Sequence, residues 1–346
     1  MKKIIKRIFI ILVLIFGVIF ILNVIGGEKS DGPVVPQPPG SLILGSTKFG
    51  TYFAPRNFPT SFLTMQQDLI DQYFKDASEI GDHTSFLMRW DEPELLDLTK
   101  KIFDQAKKKG LKIHIHIDPL TGWTHAKAAP PAPLKGRHFS DPEVRQAFIK
   151  AVLDFAALKP DVLGIGTEVN LMLHENNDQE FADYVSLSKE AYAAIKKTYP
   201  KQLVTLSFSW DVMRKDKNYN ILQQFKNSAD VLSFTTYPNI LTAPSVSRLP
   251  KNFFGDIRQH LPNERIAISE LGWFSGENGS EETQAEFYEA LPELLKDVKP
   301  EFVTQFVTYD FSKSFLNDEK FRTLGLRNED GTVKKAWETV RDFKWK

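Results

Sequence analysis

Two glutamates stand near the ends of stretches that otherwise have the pattern of buried β-strands. Glu168 closes the run VLGIGTE (162–168), and Glu270 lies in RIAISELGW (265–273). An isolated ionised carboxylate in such a strand is strongly unfavourable, so each glutamate needs a partner or a task. Two carboxyl groups that face each other can supply a proton donor and a nucleophile, as cleavage of a glycosidic bond requires. The pair therefore predicts acid–base and nucleophilic chemistry on a sugar.

Other polar and aromatic side chains stand at or near the ends of strand-like runs. As candidates for substrate binding we take Arg89, His116, Asp118, Thr167, Asn170, Trp210, Tyr237 and Trp273. The two tryptophans are expected to stack on the C–H faces of a sugar, with packing at the rim as the alternative. His116 and Asp118 are expected to contact the sugar, with a purely structural pair as the alternative.

A regular alternation of short β-branched or aromatic runs and longer amphipathic segments must position these residues. The strand candidates are residues 49–54, 84–90, 111–117, 162–168, 203–210, 231–237, 265–273 and 302–311. Eight strands, each followed by room for a helix, predict an α/β fold of the (β/α)8 TIM-barrel type. In that fold, polar groups at the C-terminal ends of the strands are placed for chemistry. The alternative, a doubly wound open sheet, would favour a glycine-rich first turn, which GSTKFG (45–50) is not.

The order and spacing of four short motifs indicate a family. The motifs are GIGTEVN (164–170), TTYP (235–238), ISELGW (268–273) and LGLRNEDGTVKKAW (324–337). With them the chain resembles the retaining (β/α)8 glycoside hydrolases of the large clan whose catalytic glutamates end strands four and seven. Within that clan it is similar to endo-β-mannanases and endo-β-galactanases. The resemblance implies endo-acting hydrolysis of a β-linked polysaccharide with no cofactor.

The resemblance also implies roles for individual residues. Glu168 would be the general acid/base and Glu270 the nucleophile. Tyr237 would hydrogen-bond Glu270 and help to keep it ionised. Arg89 would supply a positive charge that keeps the pKa of Glu270 low.

One position departs from the common pattern of this clan. Most members have an asparagine immediately before the acid/base residue, where it contacts the sugar 2-hydroxyl, but here that position is Thr167. The GTE sequence resembles some β-mannanase-like members, whereas Asn170 resembles a motif of endo-β-galactanases. The two hints point to different substrates, so the sugar stays open.

The H-x-H pair formed by His114 and His116 also allows a metal-dependent hydrolase. Only one of the two rings is expected to point into the barrel. Metal chemistry would want more histidines on strands five and six, and neither 203–210 nor 231–237 contains one. The prediction is therefore that the protein has no metal site.

Composition excludes several classes of protein. The 346-residue chain has no cysteine, which excludes a disulfide scaffold, a thiolate zinc site and a cysteine nucleophile. Its 44 basic residues balance its 44 acidic residues, so binding of nucleic acid through a basic surface is not expected. The expected partner is a polysaccharide or oligosaccharide, and the expected state is a monomer.

The N-terminal segment is predicted to anchor the chain in a membrane. Residues 8–25 form an apolar run whose one strongly polar member is Asn23. At about 1.5 Å per residue this run spans about 27 Å, enough for a hydrocarbon core. Basic residues precede it, which keeps the N-terminus cytoplasmic and sends the rest outward: Lys2, Lys3, Lys6 and Arg7. A cleaved signal peptide, and thus a secreted protein, is the alternative.

The chain therefore divides into three predicted parts. Residues 1–26 are the signal-anchor or transmembrane segment, 27–40 a Pro/Gly-rich linker, and 41–346 the (β/α)8 catalytic domain. The expected location is the cell membrane, single-pass, with the catalytic domain outside the cytoplasm. The rival interpretation of the barrel is a carbohydrate-binding protein of the cell surface without catalytic activity. A binder would have no need of two opposed carboxylates.

Overall fold

Eight parallel strands close into a barrel, and each strand pairs with its neighbours in chain order. This computed structural model describes residues 47–122 and 124–343. Its strands are β1 (Lys48–Tyr52), β2 (His83–Arg89), β3 (Lys112–Asp118), β4 (Val162–Gly164), β5 (Leu203–Ser209), β6 (Val231–Thr236), β7 (Ile266–Leu271) and β8 (Phe302–Gln305). The predicted (β/α)8 barrel is confirmed.

Helices follow the strands and surround the barrel. In chain order the α-helices are α1 (Thr60–Leu63), α2 (Gln67–Ile80), α3 (Leu95–Lys108), α4 (Pro142–Ala156), α5 (Leu171–His174), α6 (Asp178–Thr198), α7 (Trp210–Asp216), α8 (Pro238–Leu241), α9 (Asp256–His260), α10 (Glu281–Leu295), α11 (Glu319–Arg322) and α12 (Lys335–Asp342). Two 3₁₀ helices lie at Tyr219–Phe225 and Val246–Arg248. These helices cover the outward faces of the strands.

The outward face of β3 shows how the layers are held together. Ile113, Ile115 and Ile117 alternate along the strand and are almost completely buried. Alternate residues of a strand share a face, so all three point in one direction. Burial of each such side chain contributes about 1.5–3 kcal/mol to the free energy of folding.

The inward face of the same strand is polar and aromatic. The His114 ring stacks on His83 at a centroid distance of 4.1 Å and meets Phe302 edge-on. The His116 ring lies 5.6 Å from that of Tyr52. Because these partners come from β1, β2 and β8, both histidines point into the barrel. The prediction that only one of them does so is wrong, since residues two apart on a strand share a face.

Two strands are shorter than their sequence patterns. β4 stops at Gly164 and β8 at Gln305, whereas the patterns continue to residues 168 and 311. A Cβ atom at Gly164 would lie 2.7 Å from Nδ1 of His116, so the close contact of the two strands requires glycine there. After Gly164 the chain leaves the regular ladder, and this irregular segment carries Glu168.

The predicted anchor (1–26) and linker (27–40) lie outside the described residues. Within the described part of the chain, no helix is both long enough and apolar enough to cross a membrane.

Candidate active site

Glu168 and Glu270 line one cleft at the C-terminal ends of the barrel strands. Tyr52, Arg89 and Asp118 line it as well, at the ends of β1, β2 and β3. Strands four and seven are far apart in sequence but both contribute to this opening, as closure of the barrel requires. The cleft therefore brings together the two carboxyl groups that the sequence analysis singled out.

Glu270 is held inside β7 and is 6% exposed. The Tyr237 hydroxyl donates a hydrogen bond to its Oε2 at 2.6 Å. The Tyr52 hydroxyl also hydrogen-bonds this carboxyl group. Two phenol donors from β1 and from the residue after β6 therefore converge on one acceptor, and both favour its ionised form.

The pKa of Glu270 is nevertheless raised, to about 8. Burial is the main cause, and the nearby charge of Glu168 adds to it. The hydrogen bonds from Tyr237 and Tyr52 act in the opposite direction without cancelling these effects. The cleft therefore retains a proton up to about pH 8.

Glu168 lies on irregular backbone beyond β4 and is half-buried. Its φ angle is +48°, a left-handed conformation that costs a residue other than glycine about 1–2 kcal/mol. Its backbone N–H donates to Oγ of Ser207 at 3.1 Å, and the Thr235 hydroxyl donates to its Oε1 at 2.5 Å. Contacts from β5 and β6 thus fix both the strained backbone and the side chain of Glu168.

The contacts of Arg89 differ from those that the resemblance implied. Its guanidinium pairs with Asp91 at 2.9 Å and with Asp118 at 3.4 Å, and it donates to the Leu120 carbonyl. Because Arg89 is engaged by these groups and the pKa of Glu270 is raised, the expectation that Arg89 keeps this pKa low is wrong. Asp118, held between Arg89 and the N–H of Leu120, stays at the cleft wall.

Thr167 lines the cleft immediately before Glu168. Its carbonyl accepts a hydrogen bond from Nδ1 of His125 at 2.9 Å. Its hydroxyl is buried and has no hydrogen-bond partner among the described residues. Buried polar atoms are nearly always paired, so this hydroxyl is an exception beside Glu168.

His116 packs behind Tyr52 and is not among the residues that line the cleft. Burial lowers its pKa to about 3, so the ring is neutral. Its Nε2 has no hydrogen-bond partner among the described residues. Of these two candidate sugar contacts on β3, Asp118 lines the cleft and His116 does not.

Three further candidates lie away from the cleft. Asn170 exchanges two hydrogen bonds with the backbone of Ser209, at 2.7 and 3.0 Å, and is completely buried. Trp210 is completely buried and donates to the Phe253 carbonyl at 2.9 Å. Trp273 is completely buried against Phe287, at a ring distance of 4.7 Å. The prediction that these three residues bind substrate is therefore corrected. Their polar atoms or ring faces are enclosed by protein, so we interpret them as structural residues.

Solved structures of several glycoside hydrolases share this architecture. The exo-β-1,4-mannosidase of Opitutaceae bacterium strain TAV5 aligns with a TM-score of 0.69 at 14% identity, over 86% of this chain and 58% of that one. A GH5_18 protein of Streptomyces cattleya, in complex with Manβ1-4GlcNAc, aligns with a TM-score of 0.69 at 17% identity, over 86% and 79%. A fungal β-1,4-galactanase aligns with a TM-score of 0.63 at 15% identity, over 86% and 99%.

The chain has the fold of the (β/α)8 glycoside hydrolases. The likeness is one of architecture, since the chain spans little more than half the length of the mannosidase and shares few residues with any of the three. No family model and no curated protein matches its sequence. The predicted resemblance to this group is confirmed at the level of the fold.

Three residues of this barrel that support the glutamates were not predicted from the sequence. They are Tyr52, which contacts Glu270, and Ser207 and Thr235, which contact Glu168. Each lies on or ends a strand with a largely apolar pattern, and a polar side chain there was the available signal. Serine, threonine and tyrosine are common enough in strands that the signal is weak.

A metal centre was the remaining alternative. Among the described residues, no group of three or more histidine and acidic side chains has the arrangement to hold a metal ion. Two of the inward-facing histidines, His83 and His114, instead stack on each other, and Nε2 of His83 contacts the Thr304 hydroxyl at 2.9 Å.

Proposed function

We propose that the protein is a retaining glycoside hydrolase that acts on β-linked saccharides, with Glu270 as the nucleophile and Glu168 as the general acid/base. The observation that supports this proposal most strongly is the asymmetric carboxyl pair. Two tyrosine hydroxyls donate to Glu270, while Glu168 is half-buried and accepts from one threonine hydroxyl. One proton shared by two carboxyl groups near neutral pH is what an acid and a nucleophile together require.

In the first step, an oxygen of Glu270 attacks the anomeric carbon while Glu168 gives its proton to the leaving oxygen. The glycosidic bond breaks and a glycosyl ester forms on Glu270. The hydroxyls of Tyr237 and Tyr52 favour the charge on Glu270 before the attack. The step requires the proton to be on Glu168, because the leaving oxygen takes it from there.

In the second step, Glu168 takes a proton from water, and the water oxygen attacks the anomeric carbon. The ester bond breaks, Glu270 regains its charge, and the product leaves with its original configuration. Thr167 and Asp118 stand beside the pair with a free hydroxyl and a carboxylate that can bind sugar hydroxyls.

Charge in the cleft favours an uncharged sugar. Four carboxyl side chains line it, and among the described residues Arg89 is the one lysine or arginine that does so. Since Arg89 is already paired, an acidic polysaccharide would meet uncompensated negative charge. The solved neighbours are by name a mannosidase and a galactanase, so neutral β-mannans and β-galactans are the first substrates to test. We further propose that the protein cleaves within the polysaccharide chain and that it is a monomer. Its N-terminal segment would anchor it in the membrane, with the catalytic domain outside the cytoplasm.

The experiment is incubation of the protein with β-mannan, β-galactan, β-glucan and xylan. New reducing ends and product sizes are measured beside Glu168→Ala and Glu270→Ala controls. The expected result is cleavage of one polymer, early release of intermediate-sized products, and loss of activity in both variants. Binding of a saccharide by the intact protein without cleavage on any polymer would instead indicate a carbohydrate-binding barrel. Full activity in either variant would overturn the assigned roles.

A further inference from the structure

The cleft does not end at the catalytic pair. It continues past the ends of β1 and β2 into a region bounded by α1 and by the first turn of α3. We call this region the apolar lobe, and define it by the side chains of Phe53, Phe62, Leu63, Phe86, Met88 and Leu95. Its walls are hydrocarbon and aromatic, unlike the polar surroundings of Glu168 and Glu270.

The aromatic walls of the lobe are fixed by packing. Phe53 contacts Phe62 at a ring distance of 5.5 Å and Phe86 at 5.2 Å. Phe53 also packs on Tyr73 and Phe74 of α2. The lobe is therefore a preformed part of the barrel top, which lowers the entropy lost when a ligand binds.

One carboxyl group lines this otherwise apolar surface. Glu92 is 5% exposed, and neither of its side-chain oxygens has a hydrogen-bond partner among the described residues. The nearest cation is Nε of Arg89, at 3.9 Å from Oε1. Burial raises the pKa of Glu92 to about 7. Buried carboxyl oxygens without donors are rare in folded proteins, and a donor from a ligand would satisfy them.

Arg89 joins the lobe to the catalytic half of the cleft. It faces Glu92 on one side and Asp118 on the other, and the charge of Asp118 contributes to the raised pKa of Glu270. A ligand whose sugar lies against the two catalytic glutamates can therefore extend into the lobe past Arg89. A polysaccharide chain would fit the lobe poorly, because hydrocarbon walls leave its hydroxyls without partners.

We propose that the apolar lobe binds the alkyl or acyl group of an amphiphilic glycoside, and that Glu92 accepts a hydrogen bond from a sugar hydroxyl at the entrance of the lobe. This inference rests on the proposed function for the place of the sugar. It adds a class of ligand to the polymers named above, namely saccharides that carry an apolar chain. The predicted N-terminal anchor would hold the cleft near a membrane surface, where such amphiphiles are concentrated.

The test compares the dissociation constants of methyl β-D-mannopyranoside and hexyl β-D-mannopyranoside, measured by titration calorimetry on the full-length protein. Burial of the extra methylene groups is expected to make the hexyl glycoside bind at least about tenfold more tightly. Leu95→Trp should fill the lobe and reduce the ratio of the two dissociation constants to near one. The affinity for the methyl glycoside should be unchanged. Leu63→Trp provides the same test from the opposite wall. Leu241→Trp is the matched control, since Leu241 is 41% exposed and does not line the cleft.

Glu92→Gln tests the polar part of the proposal. Loss of a charge-assisted hydrogen bond to the sugar should weaken both glycosides by about tenfold and leave their ratio unchanged. Equal dissociation constants for the two glycosides in the unaltered protein would overturn the apolar lobe as a binding site. An affinity ratio that stays unchanged in both tryptophan variants would also overturn it. The alkyl chain would then bind elsewhere on the protein, for example at the N-terminal segment. Because these are binding measurements, they are independent of whether any polymer is cleaved.

Discussion

The two catalytic candidates reach the same cleft by different structural means. Glu270 is part of the regular strand β7, is almost fully buried, and accepts hydrogen bonds from two tyrosines. Glu168 lies four residues beyond β4 in a left-handed conformation, half-buried, with a serine and a threonine as partners. A nucleophile must hold its position and charge, whereas a proton donor must reach a departing oxygen. The two glutamates thus differ in burial and in hydrogen-bond partners in the way that their proposed roles require.

The largest expected effect comes from removal of the nucleophile. Glu270→Ala should lower kcat/KM by a factor on the order of 10⁴ to 10⁶, because the variant lacks the carboxylate on which the glycosyl ester forms. The measurement is a rate on the polymer identified by the reducing-end assay. Added azide should restore turnover on an activated aryl glycoside and give the azide product with inverted configuration. An azide product with retained configuration would show that Glu270 is not the nucleophile.

Removal of the acid/base should have a smaller effect that depends on the leaving group. Glu168→Ala should lower kcat/KM by about 10²- to 10⁴-fold on a polymer. On a dinitrophenyl glycoside, whose leaving group needs no proton, formation of the glycosyl ester should be almost unchanged. Azide should here give a product with retained configuration. Equal losses on both substrates would contradict the role of Glu168 as proton donor.

The pH profile should show that the two carboxyl groups are coupled. Burial and the charge of Glu168 raise the pKa of Glu270 to about 8, so the cleft loses this proton near that pH. Activity that needs this proton on Glu168 should therefore fall as the pH rises above about 8. In Glu168→Gln the charge that raises the pKa of Glu270 is absent, so this pKa falls. Activity of that variant on the dinitrophenyl glycoside should rise with pH, with a midpoint below 8, and should show no alkaline decline. A midpoint that stays near 8 would show that Glu168 does not act on Glu270.

The hydroxyl donors provide the finest comparison. Tyr237→Phe and Tyr52→Phe should each lower kcat/KM by about tenfold to a hundredfold, because each removes a hydrogen bond to a charged group. Both should also move the pKa of Glu270 upward, since these bonds lower it. Thr235→Val removes the donor to Glu168 and should have a smaller effect, about threefold to tenfold. Steady-state rates measured across pH compare the tyrosine variants with Thr235→Val. A larger loss of kcat/KM in Thr235→Val than in the tyrosine variants would contradict the proposed roles of the two glutamates.

The barrel and the position of Glu168 and Glu270 in one cleft could be predicted from the sequence, because both depend on strong local signals. Apolar runs at regular intervals predict strands, and a carboxylate inside such a run is conspicuous at Glu168 and Glu270. The place of Tyr237 beside Glu270 followed from the family resemblance and agrees with the 2.6 Å hydrogen bond.

Predictions for the surrounding residues were weaker because they depend on direction and on partners. Trp210 and Trp273 follow strand ends, as a stacking residue would, yet both rings turn into the packed layer between strands and helices. Arg89 stands where a cation could reach Glu270, but nearer carboxylates engage it. Such competition among neighbours from distant parts of the chain cannot be read from a linear pattern.

The most direct measurement is to trap the intermediate with the 2-deoxy-2-fluoro glycosyl fluoride of the sugar that the polymer assay identifies. Mass spectrometry of the intact protein and of its peptides would then locate the label. We predict a single adduct on the peptide that contains Glu270, and no adduct in Glu270→Ala. Turnover of the natural substrate without any adduct, with release of the inverted anomer first, would contradict the account. So would a label on Glu168.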